Sequence, residues 1–223
     1  MGGGYPSWFG SGSYAEQARD QGTLSRVLGL LGLAALFTAI GAFIGPALGD
    51  VAFWVALVGG LILIFALRAA RDVAPLNLVL LIAFATLEGV VLGDVLEIYV
   101  ASGLSLIVFE AAAATAVAGL AAGFIGYTTQ RDLSGLGGLL MIALIIVIVA
   151  SVVGLFIQAP VLWTAISAVS AILFSGFLVF DLNRVARTRG ATEGQAIMLA
   201  VSVYLDIYNL FLDLLSLLGG RRR

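Results

Sequence analysis

Cysteine, histidine and lysine are all absent from the 223 residues of this chain. The absence of lysine excludes a retinal Schiff base, because that linkage needs a lysine amine. Without histidine or cysteine there is no haem ligation of the usual kind, no thiol chemistry, no serine–histidine dyad and no ordinary zinc site. The carboxylates that remain suit hard cations such as Ca²⁺, or protons.

Charge is also scarce. Only 11% of the residues are charged and 61% are hydrophobic, whereas a soluble domain is usually about 25% charged. Long stretches without any charge run from Val27 to Gly49, Val51 to Leu67, Ala111 to Gln130 and Leu133 to Phe180. Each is near or beyond the roughly 20 residues that cross a bilayer as a helix. The composition therefore predicts an all-α, polytopic membrane protein with no nucleic-acid partner.

The apolar stretches predict seven transmembrane helices in a single domain that covers residues 24–220. Residues 1–23, rich in Gly, Ser and Tyr, are expected to form a disordered tail, and residues 221–223 a basic tail. The helices are expected near residues 25–45, 51–69, 75–95, 103–127, 136–157, 160–183 and 195–218.

The arginines predict the orientation of the chain. Alternate connections carry them, while the connections near residues 45–50, 99–103 and 158–160 carry none. Cytoplasmic loops are the ones enriched in basic residues, so we expect a multi-pass protein of the prokaryotic plasma membrane with its N-terminus in the cytoplasm. Seven spans place Arg221–Arg223 outside, and a re-entrant last segment is the alternative.

The last helix carries a polar stripe. At about 100° per residue, five polar residues fall within an arc of roughly 80°: Ser202, Asp206, Asn209, Asp213 and Ser216. An ionisable group costs roughly 3 kcal/mol or more inside a membrane helix, so it indicates function by default. The stripe must face protein or a water-filled path. An interhelical hydrogen-bond seam is the structural alternative.

Further carboxylates are spread over the predicted depth of the membrane. We hypothesise a cation route in which Asp94 and Glu97 form an outer vestibule. The cation path itself would use Glu88, Glu110, Asp213 and Asn209. Asp94 and Glu97 alternatively are solvated residues at the interface.

Asp181 and Asp206 are predicted to meet, because helices 6 and 7 are joined by a short loop. Two buried carboxylates in contact cannot both ionise cheaply, so they share a proton. Such a pair would be a pH sensor built without histidine. Arg71 or Arg68, at the end of helix 2, could exchange partners with Asp181 and so form a gating ion pair.

Two segments of the sequence are distinctive. "FLVFDLNRV" and "AVSVYLDIYNLFLDLLSLLGG" resemble the signature of the Bax inhibitor-1 family, also called the transmembrane Bax inhibitor motif family. "LEGVVLG", "TQRDLSGLG" and the segment that begins at "YAEQARDQG" are similar to other patterns of that family. The resemblance extends from Tyr14 to Gly220.

The resemblance implies a seven-helix bundle in which helix 7 is central and is wrapped by helices 1–6. It also implies a pH-sensitive calcium leak, with Ca²⁺ as permeant ion and no cofactor. The aspartate pair that senses pH in prokaryotic relatives falls on Asp181 and Asp206, and the arginine that pairs with the first aspartate falls on Arg71, or else on Arg68. The helix 2 glutamate of some relatives has no counterpart in "FWVALVGGLILIFAL". A monomer is expected.

Three other functions compete with the leak. An intramembrane aspartyl protease also places one aspartate on each of two adjacent helices, but its Gly-x-Gly-Asp pattern is missing at Asp206. A proton-coupled cation antiporter would use the same carboxylates, and a regulatory protein that transports nothing would not need them. We expect a pH-sensitive calcium leak and no enzyme.

Overall fold

The computed structural model describes the backbone of residues 11–157 and 159–220, and side chains from residue 22 onward within those ranges. Seven helices in this part are long and apolar enough to cross a membrane, which confirms the predicted fold class. They are α1 (Ser11–Ile44), α2 (Asp50–Ala69), α3 (Leu76–Ala101), α4 (Ser105–Thr128), α5 (Ser134–Ile157), α6 (Pro160–Arg187) and α7 (Glu193–Gly220). A 3₁₀ turn, Gly45–Ala47, follows α1.

The two predicted tails are only partly covered. Helix α1 begins at Ser11, inside the stretch predicted as the N-terminal tail. Residues 1–10 and the basic tail at 221–223 lie outside the described residues.

Side-chain hydrogen bonds stabilise the starts of two helices, α7 and α5. Thr192 and Gln195 form a capping box at the start of α7: each backbone N–H donates to the other residue's side-chain oxygen, at 3.0 and 3.2 Å. The exposed Asp132 accepts a hydrogen bond from the Ser134 backbone N–H at 2.8 Å, just before α5. That bond stabilises the carboxylate and lowers the pKa of Asp132.

The helices pack as two groups of three. In the first group, α1 and α2 both pack on α3. Glycines bring α1 and α3 into backbone contact: a methyl group at Gly41 would overlap the Thr86 carbonyl oxygen, and one at Gly89 would lie 2.9 Å from the Gly41 Cα. Small residues permit such close approach in membranes.

In the second group, α4 and α5 both pack on α6. A methyl group at Gly126 of α4 would lie 2.8 Å from the Val179 carbonyl oxygen of α6. The Asn183 amide of α6 donates to the carbonyl oxygens of Gly126 and Thr129, at 2.9 and 3.1 Å. The Arg187 guanidinium donates to the Gln130 carbonyl oxygen beyond the end of α4.

Helix α7 lies between the two groups. It packs against α1 and α3 on one side and against α4 and α6 on the other. In the most apolar stretch of α7, 50% of the residues are buried, compared with 6% in the corresponding stretch of α5. Because α2 packs chiefly on α3 and α5 on α6, the expected wrapping of helix 7 by all six other helices is not confirmed.

Candidate functional site

The sequence-predicted aspartate pair lies at the contact between α6 and α7. Asp181 is 6% exposed and Asp206 is 5% exposed, and their carboxyl groups are close enough to interact directly. The Asp206 Oδ2 atom is buried and has no hydrogen-bond partner within the described ranges. Two carboxylates in this position would repel each other unless they share a proton.

The polar contact continues along the same two helices. Ser170 of α6 lies beside the Asp213 carboxyl group of α7, and Ser167 Oγ donates to Ser216 Oγ at 3.0 Å. The Asp213 Oδ2 atom is also buried and has no partner among the residues described. Because the helices are antiparallel, three members of the predicted stripe thus meet polar residues of α6 in order.

Asn209, another member of the stripe, forms its hydrogen bond within its own helix. Its amide donates to the Leu205 carbonyl oxygen of its own helix at 2.7 Å, and the side chain is half-buried. Its role in a cation path stays a prediction.

The positive charge that acts on Asp181 comes from Arg184, one turn further along α6. Arg71 pairs with Asp72 in this structure, with 3.1 Å between Nε and Oδ2, and both side chains are exposed. Arg68 is exposed near the end of α2. The gating role of Arg71 or Arg68 stays a prediction. The i, i+3 spacing of Asp181 and Arg184 is the signal by which the sequence could have identified Arg184.

The opposite side of α7 carries tyrosines. Tyr204 and Tyr208 stack at 5.8 Å between ring centroids. The Tyr204 hydroxyl bonds to Thr38 Oγ1 of α1 at 2.8 Å, and the Tyr208 hydroxyl donates to the Glu88 backbone oxygen of α3 at 2.9 Å. At 100° per residue, Tyr208 points about 200° away from Asp206. Glu88 of α3 therefore contacts the face of α7 opposite to the aspartates, and its role in a cation path stays a prediction.

The remaining predicted acidic residues are separate from the pair. Asp94 is half-buried on α3, with one carboxyl oxygen buried and unpartnered among the described residues. Glu97 is exposed one turn further along, and Glu110 is half-buried on α4. In the part of the chain that the structure describes, no three acidic side chains gather closely enough to hold a metal ion.

Fold and site together define a seven-helix membrane protein with a buried carboxyl pair between its last two helices. The family model described as inhibitor of apoptosis-promoting Bax1 matches residues 20–223. The chain belongs to this family, as its sequence motifs predicted.

Three proteins similar to this chain are bacterial. An uncharacterised protein of Campylobacter jejuni is 34% identical over 88% of this chain and 80% of its own length. An uncharacterised membrane protein of Streptococcus pyogenes is 38% identical over 71% of this chain and 70% of its own. The modulator of FtsH protease YccA of Escherichia coli is 33% identical over 67% of each chain. None of these three names is that of an enzyme.

Proposed function

We propose that this protein lets Ca²⁺ leak passively across the membrane under the control of pH, with Asp181 and Asp206 as its proton-sensitive pair. The observation that carries the proposal is the burial of these two carboxyl groups against each other between α6 and α7. The family resemblance supports the same function.

The physical basis is the cost of removing a shared proton. Two unit charges at 4 Å repel each other by roughly 4 kcal/mol at an effective dielectric constant of about 20. That repulsion acts between α6 and α7, since each aspartate sits on one of them. Arg184 offers Asp181 a countercharge in the ionised state. The packing of the two helices therefore responds to pH, and the flux follows it.

Other acidic residues would attract the cation. Asp213 lies on the same face of α7 as Asp206, two turns away, and one of its oxygens has no partner in the described part of the chain. Asn209 lies between them. Glu110 of α4, together with Asp94 and Glu97 near the end of α3, would supply negative potential at the mouth of the route.

The test is Ca²⁺ influx into proteoliposomes loaded with a calcium dye, measured from mildly acidic to mildly alkaline pH. We expect a pH-dependent flux in the wild type that Asp181→Asn and Asp206→Asn each flatten, because each removes one member of the pair. Asp132→Asn is the matched control, since Asp132 is exposed and outside the spans. Absence of flux at every pH, from folded protein, rules out the leak.

A second candidate is the regulation of a membrane protease. It is favoured by the similarity to the Escherichia coli protein named as a modulator of FtsH protease. This function would act through contact with the protease and would not need the aspartate pair. We expect this chain to co-purify with an FtsH-type protease in mild detergent and to change the degradation of a membrane substrate. If Asp206→Asn retains that effect, modulation is independent of any leak.

A further inference from the structure

The Glu88 carboxyl group occupies a notch formed by three helices. It extends from α3 toward Gly60 of α2, where an added methyl group would lie 2.9 Å from Glu88 Oε1. On the α7 side it lies beside the Tyr208 hydroxyl. The notch is therefore shaped by the missing side chain of Gly60 and bordered by the hydroxyl of Tyr208.

The Tyr208 hydroxyl has only one proton to donate. It donates that proton to the Glu88 backbone oxygen at 2.9 Å, so only the lone pairs of Tyr208 Oη remain available to the neighbouring carboxyl group. An ionised carboxylate has acceptors alone, whereas a protonated carboxylic acid has one O–H donor. As long as Tyr208 donates to the backbone oxygen, a hydrogen bond between the Glu88 carboxyl group and Tyr208 Oη requires a proton on Glu88.

Among the side chains that the structure describes, the groups around Glu88 offer no positive charge. The titratable groups that face it are Tyr208 and, further away, Tyr204, both on α7. From α2 it meets the backbone at Gly60, and no ion pair to Glu88 is formed within the described ranges. An ionised carboxylate without a countercharge is costly at membrane depth, whereas a neutral acid with a hydrogen-bond acceptor is not.

We propose that Glu88 is a protonated carboxylic acid that donates a hydrogen bond to Tyr208 Oη and thereby fastens α7 to α3 beside α2. It is a proton-binding site distinct from the Asp181–Asp206 pair, on the other side of α7. Glu88 is a positioning residue that acts through Tyr208. The assignment does not rest on the calcium leak.

The arrangement gives α7 two proton-dependent contacts on opposite sides. Asp206 meets α6 and Tyr208 meets α3, and these two residues are about 3 Å apart along the helix axis. Loss of the Glu88 proton would turn a donor into an acceptor facing another acceptor, so this side-chain contact between α3 and α7 would be lost, although Tyr208 keeps its bond to the Glu88 backbone oxygen. The position of α7 then depends on protons bound on both sides.

The test is infrared spectroscopy of the full chain in lipid nanodiscs at neutral pH. The wild-type spectrum minus that of Glu88→Gln should contain the carbonyl stretching band of a protonated carboxylic acid. Tyr208→Phe should keep that band but shift it to higher frequency, because the acid loses its acceptor. Asp206→Asn, as matched control, should leave the Glu88 band in place.

Two results would overturn the assignment. If the Glu88→Gln difference contains only carboxylate bands, Glu88 is ionised and the proposal is wrong. If Tyr208→Phe leaves the band unmoved, the acid is bonded elsewhere and does not fasten α7. Both infrared measurements are independent of Ca²⁺ flux. A failure of the Glu88 assignment can therefore be told apart from a failure of the calcium leak.

Discussion

At the scale of single residues, Asn183 shows how a side chain of one helix can satisfy the carbonyl oxygens at the end of another. Its side chain is only 3% exposed, and its amide serves two carbonyl oxygens at the end of α4. The last carbonyls of a helix have no partner within the helix. Asn183 on α6 supplies the hydrogen-bond donor that these carbonyl oxygens lack within α4. The same two bonds link α6 to α4.

Replacing Asn183 by leucine tests this contribution. Leucine has a similar volume but no donor, so two carbonyl oxygens lose their partner. We expect Asn183→Leu to lower the free energy of unfolding by about 1–3 kcal/mol, measured by thermal or denaturant unfolding in lipid-detergent micelles. Ser151→Ala is the control, because its hydroxyl bonds only to Val147 of the same helix. Equal stability of both variants would contradict this role.

At the scale of helices, the contact between α1 and α3 is made by backbone against backbone. A methyl group at Gly89 would overlap the Thr38 carbonyl oxygen and lie 2.9 Å from the Gly41 Cα. None of these atoms belongs to a flexible side chain, so the helices themselves would have to separate. Thr38 also bonds Tyr204 of α7 at 2.8 Å, which means that a displacement of α1 would reach α7.

Gly89→Ala should therefore be strongly destabilising. We expect a loss of about 3 kcal/mol, at the upper end of the cost of overpacking, seen as a lower midpoint of unfolding in micelles. Gly32→Ala is a matched control on α1, since nothing lies within 4 Å of its added methyl group. That control should be neutral or slightly stabilising, because alanine favours helix. A Gly89→Ala variant as stable as Gly32→Ala would show that the helices can separate freely.

At the scale of the whole molecule, the helices were predictable because bilayer thickness fixes their length. The apolar runs indicated all seven spans. The ends were less predictable: α3 continues to Ala101 and α6 to Arg187, since charged residues such as Glu97 and Arg184 remain helical beyond the apolar run. The absence of charge marks where a span crosses lipid, not where its helix ends.

The site was predictable only in part, for a geometric reason. Asp181 and Asp206 were expected to meet because a short loop makes α6 and α7 neighbours, and their side chains do meet. The surroundings of Glu88 and Asn183 depend on which faces of non-consecutive helices come together. A single sequence holds no pattern that specifies that pairing.

The orientation of the molecule is open to a direct measurement. The chain contains no cysteine, so a single introduced cysteine is the only thiol. Ser102 and Arg131 are both exposed, in the connections before and after α4. With the N-terminus in the cytoplasm, a membrane-impermeant maleimide should label Ser102→Cys in intact cells and Arg131→Cys only after permeabilisation. The reverse pattern would overturn the predicted orientation.

The two groups of three helices make the molecule divisible. Although α3 and α4 are consecutive, each packs chiefly against other helices, and the exposed connection between them turns at Gly103, with φ of 72°. A gene cut at this connection would encode two polypeptides, one with α1–α3 and the other with α4–α7. Each would keep its internal packing, and the two halves would complement each other in trans by docking α7 of one onto α1 and α3 of the other.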